Sequence, residues 1–148
     1  MIAGSTHISA KLQEEGLPAK NVESAVQRCI RAITNSLEDS RGQWILTRHI
    51  DAASEFSVAG IIDDGEPARR FVIDRTFVDD EGTRWIVDYK TGDHRGSGLE
   101  QFLDREEERY REQLDNYAKL MTHLDARPIK LGLYFPMVRG WRQWSLSS

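Results

Sequence analysis

Two acidic side chains and one amine fall within two β-type segments near the middle of the chain. Asp74 lies in the run 71–78, and Asp88 and Lys90 lie in the run 83–90. Side chains on a strand alternate between faces, so we expect Asp88 and Lys90 on one face and Tyr89 on the other. Two carboxylates can hold a divalent metal ion, and an ammonium can stabilise the charge that develops on an attacked phosphate. These residue types therefore suit hydrolysis of a phosphodiester.

A simpler interpretation exists for the same residues. The D-x-K spacing of Asp88 and Lys90 is also that of an ordinary ion pair at the end of a strand. If Asp74 and Asp88 instead converge on one ion, the main-chain carbonyl of Tyr89 could supply a third oxygen ligand. The spacing alone leaves both interpretations open.

The segments that carry these residues have the pattern of a β-hairpin. They are separated by residues 79–82, Asp-Asp-Glu-Gly, with glycine at the turn. Trp85, Ile86 and Val87 make the second segment apolar on both faces. This pattern predicts a central strand of a sheet.

The chain before the hairpin is predicted to form one helix and two strands. The helix begins near Pro18 and ends before Ser40, with an inward stripe of Val22, Val26, Cys29, Ile30, Ile33 and Leu37. Residues 43–47 are predicted as a short strand. Residues 53–59 are predicted as another, with Glu55 and Ser57 on one face and Phe56 and Val58 on the other.

The chain after the hairpin is predicted to form a loop, a long helix and two paired strands. Residues 92–98 are a glycine-containing polar loop, and a helix with an apolar stripe follows from Leu99 to before Pro128. Residues 129–135 and 141–146 are then predicted to pair across a turn. The order of elements predicts an α/β sandwich of mixed β-sheet and flanking helices.

Composition limits the class of protein. The chain has 148 residues, of which 39% are hydrophobic and 30% charged, as expected of one globular domain. The single cysteine, Cys29, excludes an internal disulfide framework, and its helical neighbours predict a buried position. A formal net charge of −4 argues against strong independent DNA affinity. It is compatible with a site that works while another domain holds the DNA.

We expect no membrane partner, because no apolar run approaches the roughly 20 residues that span a bilayer. The N-terminal residues lack the apolar core of a signal peptide, and a cytoplasmic setting fits. No G-x-x-x-x-G-K-[ST] loop is present, so any nucleotide-driven motor must lie outside this chain.

Four segments together resemble a known family. They are Asp74-Arg75, WIVDYKT at 85–91, YREQLDNYAKL at 110–120 and LYFP at 133–136. This set resembles the RecB/AddA-type nuclease domain at the C-terminus of UvrD-like helicase-nucleases, in the PD-(D/E)XK nuclease superfamily. The resemblance covers about residues 40–146. It implies a restriction-endonuclease-like mixed sheet flanked by helices, with residues 1–148 as a single domain, a C-terminal fragment of a larger helicase-nuclease.

The resemblance also implies roles for individual residues. Asp74 and Asp88 match the acidic residues that bind Mg²⁺ or Mn²⁺, with Tyr89 adding its carbonyl, and Lys90 matches the catalytic lysine. The implied function is a metal-dependent DNA exonuclease of double-strand-break repair and recombination. DNA and a helicase motor domain or subunit are the implied partners.

Further residues are assigned to the surroundings of the site by the same resemblance. Gln113 and Tyr117 match the QxxxY motif, which arranges the site and the nearby DNA backbone, and Glu55 resembles a glutamate of the preceding strand. Family members often add a histidine ligand from an early helix. His7 is a candidate, although its neighbours lack an apolar helical pattern; the alternative is a chain that begins after that helix.

Two rival functions remain open at this stage. One is a catalytically inactive module of the same fold that holds DNA or a protein within a helicase complex. The other is a protein-interaction domain that presents Trp141 and Trp144 to a partner. His94 and Arg95, in the glycine-containing loop, could contact phosphate or could simply be solvated.

Overall fold

The computed structural model describes residues 22–62 and 64–146 of the chain. Three helices and five strands follow one another in the order α1 (Val22–Glu38), α2 (Ser40–Leu46), β1 (Ile50–Gly60), β2 (Arg69–Val78), β3 (Arg84–Tyr89), α3 (Leu99–Met121), β4 (Ile129–Phe135) and β5 (Gly140–Ser145). The mixed sheet flanked by helices expected from the sequence is confirmed.

The five strands form one sheet in the order β1-β2-β3-β4-β5. Strands β1, β2 and β3 are antiparallel neighbours, β3 and β4 are parallel, and β4 and β5 are antiparallel. A parallel pair needs a crossover connection, and α3 supplies it between β3 and β4. All six residues of β3 are buried, which confirms the central position predicted from its apolar run.

Helices cover both faces of the sheet. On one face, α3 packs through Leu103, Leu114 and Ala118 onto strand residues that include Ile86 and Leu131. On the other face lie Ala32 of α1 and Ile45 of α2, with Phe77, Val87 and Tyr134 from the strands. Burial of these side chains is the main favourable contribution to folding. It also makes β3 a fixed support for the residues at its end.

The prediction of a strand at residues 43–47 is wrong, because residues 43–46 are the second half of α2 and Thr47 is its C-cap. The Arg75 side chain donates to the carbonyl oxygens of Ile45 and Thr47, at 3.1 Å each. The last carbonyls of a helix have no partner within the helix, so this guanidinium satisfies them. A residue 30 positions away therefore stabilises a helix whose β-type side chains favour a strand.

The predicted inward stripe of α1 is only partly correct. Val22, Val26 and Ile30 are exposed, with 58%, 50% and 52% of their surface accessible. Ala32 is buried, and Cys29 and Ile33 pack against the sheet beside it. Cys29, which was predicted to be buried, is half-buried. The helix is rotated so that its smaller residues approach the sheet.

Trp141 and Trp144 are not presented together on an exposed surface, as the rival protein-interaction function would require. They lie on opposite faces of β5, because they are an odd number of residues apart. Trp141 packs on Trp44 and Trp85, whereas the Trp144 indole donates to Asp115 of α3 at 2.8 Å. Both rings are used inside the domain.

Candidate functional site

Three acidic residues, Glu55, Asp74 and Asp88, lie at neighbouring positions of β1, β2 and β3, and we refer to them as the acidic row. Ser54 pairs with Arg75 and Phe56 with Ile73, so Glu55 of β1 lies opposite Asp74 of β2. The last pair between β2 and β3 joins Arg75 and Val87, so the next positions along the two strands are Asp74 and Asp88. The paired ladder between β2 and β3 ends just before these two residues.

Asp74 takes the place of a main-chain hydrogen-bond acceptor. Its carboxylate Oδ2 accepts the amide N–H of Tyr89 at 2.9 Å. The main-chain ladder between β2 and β3 ends one step earlier, and the carboxylate continues it. N–H and C=O of one strand residue point toward the same neighbour, so the Tyr89 carbonyl also faces β2. Asp74 and this carbonyl therefore lie at the same break in the ladder.

Asp88 and Lys90 form a buried ion pair on the α3 face. The Lys90 Nζ lies 2.7 Å from Asp88 Oδ2, and only 9% and 4% of the two side chains are exposed. The same ammonium lies 3.6 Å from the centre of the Tyr110 ring of α3. A carboxylate and an aromatic face both attract a cation, so these two contacts hold the amine at one position.

Tyr89 lies on the opposite face, as predicted. Its ring is buried with Trp85, Val87 and Tyr134 in the core beneath α1 and α2. Burial raises the pKa of its hydroxyl above the ordinary value of 10.0, and the negative charges of Asp74 and Asp88 raise it further, against the opposing effect of Arg75. The hydroxyl is therefore neutral at physiological pH, and the ring belongs to the core rather than to the face that carries Lys90.

Gln113 and Tyr117 interact with each other on α3. The Gln113 side-chain amide donates to the Tyr117 hydroxyl at 2.8 Å. Tyr117 is buried, and its ring packs against Phe71 of β2 at 5.1 Å between ring centres. Tyr110, which contacts Lys90, lies one turn before Gln113. The QxxxY pair thus joins α3 to the strand that carries Asp74.

Glu55 is exposed, and its backbone has a φ of 53°. Positive φ is uncommon for a residue other than glycine and costs on the order of 1–3 kcal/mol. Its position opposite Asp74 places this strained residue at the edge of the acidic row. The site thus has two buried carboxylates and one exposed carboxylate.

A cavity of about 350 Å³ opens beside Lys90. Its lining includes Arg28 of α1 together with Tyr110, Glu106 and Arg109 of α3. Arg28 is held in place because its guanidinium donates to the carbonyl of Thr91 at 3.0 Å. Arg28 was not recognised from the sequence, since its partner lies 63 residues away.

The donor set has the chemistry that Mg²⁺ or Mn²⁺ prefers. Asp74 and Asp88 are carboxylates on adjacent strands, the Tyr89 carbonyl faces β2, and Lys90 balances one of the two negative charges. A carboxylate has about four lone-pair sites, so one amide contact is compatible with ligation of an ion. Over residues 22–62 and 64–146, no group of three or more His, Cys, Asp or Glu side chains is arranged to hold a metal. Carboxylate and carbonyl oxygens are the ligand type that Mg²⁺ takes when it keeps several of its waters.

The remaining candidate residues are His7, His94 and Arg95. His7 lies outside the described residues. The His94 imidazole contacts the Ser97 carbonyl at 2.7 Å and stacks on Phe102, which fixes the loop. Arg95 is 85% exposed and lies 3.9 Å from Asp93.

Comparisons with known proteins provide little further information. No family model matches the chain, and no curated protein matches it. A solved structure described as "Crystal structure of SSO0001" is similar to 97% of this chain and to 66% of its own length, with 15% identity and a TM-score of 0.40. A likeness this weak carries no argument about fold or function. Among the described helices, none is long and apolar enough to cross a membrane.

Proposed function

We propose that this chain is a metal-dependent nuclease domain that hydrolyses phosphodiester bonds of DNA. The observation that carries the proposal is the position of Asp74 and Asp88 one step past the last paired residues of adjacent strands, with the Lys90 amine ion-paired at 2.7 Å to Asp88. Two carboxylates and one ammonium have a net charge of −1. A buried site of this charge favours a divalent cation.

Each residue has a defined task in this proposal. Asp74 and Asp88 would hold Mg²⁺ or Mn²⁺ together with the Tyr89 carbonyl, and the ion would polarise the scissile phosphate and lower the pKa of a bound water. Lys90, held between Asp88 and the Tyr110 ring, places a positive charge where negative charge develops. Its fixed position means that little reorganisation is needed during the reaction.

The proposal extends to the setting of the reaction. The resemblance of the DYKT strand and QxxxY helix favours an exonuclease of double-strand-break repair and recombination, acting in the cytoplasm. The sequence carries no phosphate-binding loop, so the helicase motor would be a separate domain or subunit.

The decisive experiment is a nuclease assay with Mn²⁺ on labelled single- and double-stranded DNA. We expect cleavage by the unchanged protein and at least a roughly hundredfold loss in Lys90→Met and Asp88→Asn, as when a charge-stabilising group is removed. Asp80→Asn, an exposed carboxylate of the hairpin turn, is the control and should cleave normally. Equal inactivity of all four folded proteins would refute the proposal for this chain.

The buried Asp88–Lys90 pair also favours a second candidate, a catalytically inactive module of the same fold. The two charges neutralise each other, so the pair needs no metal ion to be stable. Calorimetric titration with Mn²⁺ separates the candidates. The nuclease binds Mn²⁺ and loses this binding on Asp74→Asn. The inactive module shows no heat of Mn²⁺ binding, either unchanged or with Asp74→Asn.

A further inference from the structure

A basic groove lies beside the proposed site along helix α1. Its volume is about 620 Å³, and its charged lining residues are Arg28, Arg31, Asp93 and Arg95. We refer to these residues as the α1 groove. Arg28 also lines the cavity at Lys90, so the groove and the cavity meet at this side chain.

The charge of this surface is opposite to that of the whole chain. The α1 groove and the Lys90 cavity contain five basic residues, Arg28, Arg31, Arg95, Arg109 and Lys90, against the acidic Asp93 and Glu106. The chain as a whole has a net charge of −4. Positive charge is therefore concentrated along one path that ends at the catalytic amine, which is where an anionic polymer would be attracted.

The arginines of the groove can exchange their present partner for a phosphate. Arg31 donates to Asp93 at 3.0 Å, but its side chain is 43% exposed, and Arg95 is 85% exposed. Exposed ion pairs contribute little net free energy, so a phosphate can compete for both guanidinium groups. A guanidinium also binds phosphate through two parallel hydrogen bonds.

From these features we infer that the α1 groove binds the phosphodiester backbone of DNA and directs it toward Lys90. The inference rests on the proposed function for the direction of the strand. Arg31 and Arg95 bind phosphates outside the site, and Arg28 binds where the groove joins the cavity. Asp93 opposes binding, because it repels phosphate and occupies Arg31.

The test is fluorescence anisotropy with a labelled oligonucleotide, single-stranded or duplex, at low salt and with a chelator present. Arg31→Ala and Arg95→Ala should each weaken binding about three- to tenfold and lower the salt dependence by about one counterion. Asp93→Asn should tighten binding. A purely structural role of the Arg31–Asp93 pair would not give opposite effects for its two members.

Arg111→Ala is the matched control. Arg111 is 45% exposed on α3 and ion-paired to Glu107, much as Arg31 is paired to Asp93, but it lies outside the α1 groove. Its removal should leave affinity unchanged. The inference is overturned if the unchanged protein does not bind the oligonucleotide at low salt. It is also overturned if the affinity does not change in the Arg31, Arg95 and Asp93 variants. Equally tight binding of polyglutamate overturns it in favour of an acidic protein partner.

Failure of the inference and failure of the nuclease proposal are distinguishable. Affinity is measured without metal, so it does not depend on ligation by Asp74 or Asp88. If Asp88→Asn cleaves like the unchanged protein while Arg31→Ala loses affinity, the catalytic assignment fails and the groove stands. If Asp88→Asn loses cleavage while Arg31→Ala keeps its DNA affinity, the groove inference fails and the catalytic assignment stands.

Discussion

The Asp88–Lys90 pair contributes to the structure, and in the proposed nuclease the same two side chains also serve the chemistry. Each charge is buried, and each is compensated by the other at 2.7 Å. Removing one member leaves an uncompensated charge in a region from which water is largely excluded. The interaction free energy between Asp88 and Lys90 is therefore the first quantity to measure.

We predict strong coupling between these two residues. Lys90→Met and Asp88→Asn should each lower the free energy of unfolding by about 3–5 kcal/mol, because each leaves or distorts a buried partner. The double variant should lose clearly less than the sum of the two. Urea unfolding of all four proteins in chelator provides the cycle, and additive losses would show that the pair is not coupled.

Asp74 allows its hydrogen bond to be separated from its charge. Asp74→Asn keeps a side-chain oxygen that can accept the Tyr89 N–H, whereas Asp74→Ala leaves that buried amide without an acceptor. We expect Asp74→Ala to destabilise by about 1–3 kcal/mol more than Asp74→Asn. Urea midpoints measure this difference. Equal midpoints would mean that the 2.9 Å hydrogen bond does not contribute to stability.

At the scale of elements, the junction of α1 and α2 depends on the absence of a side chain at Gly42. A Cβ there would lie 2.2 Å from the Ser36 carbonyl oxygen, which belongs to the backbone of α1. The two helices approach so closely that only glycine fits. Helix propensity therefore favours alanine at this position, whereas packing favours glycine.

We predict that packing decides the outcome at Gly42. Alanine gains about 1 kcal/mol in helix propensity, but overpacking against a backbone should make Gly42→Ala a net loss of about 1–3 kcal/mol. Ser40→Ala, at an exposed position of the same helix, is the control and should change stability by less than about 0.5 kcal/mol. Thermal unfolding of both variants tests this, and a stabilised Gly42→Ala would contradict the packing argument.

At the scale of the whole molecule, one charged cluster ties the sheet to the segment that follows α3. The Arg84 guanidinium at the start of β3 donates to Asp125 at 2.9 Å and to the Asp51 carbonyl of β1 at 3.0 Å. Burial opposes ionisation of Asp125, but hydrogen bonds from Arg127 and Arg84 outweigh it and hold the pKa of Asp125 below the ordinary 3.8. Three elements therefore share one acid-sensitive contact.

This cluster should make the stability of the domain depend on acid. Because the pKa of Asp125 is lower in the folded state, its contribution is present above the unfolded pKa of about 3.9 and is lost as pH falls through the folded value. Asp125→Asn should therefore be less stable than the unchanged protein at neutral pH, with a difference that shrinks below that range. Unfolding by urea across pH measures it, and a difference independent of pH would refute the assignment.

Much of the site was predictable because it depends on short-range order. The alternation of side chains along a strand puts Asp88 and Lys90 on one face and Tyr89 on the other, whatever the rest of the chain does. The turn glycine at position 82 brings the strand of Asp74 beside them. The QxxxY contact is likewise local, since residues four apart on a helix are neighbours.

The long-range contacts were decided by the tertiary structure. Residues 43–46 are helical, and Arg75 donates to the carbonyls of Ile45 and Thr47 at the end of that helix. Arg28 reached the site through the carbonyl of Thr91. The face of α1 that packs on the sheet was likewise set by the close fit of small residues. By itself the sequence determined the strands and the order of chemical groups along them, because those follow from local periodicity. Which distant side chains complete the site was determined only when the two layers of helices packed on the sheet, because such contacts join residues that no local pattern connects.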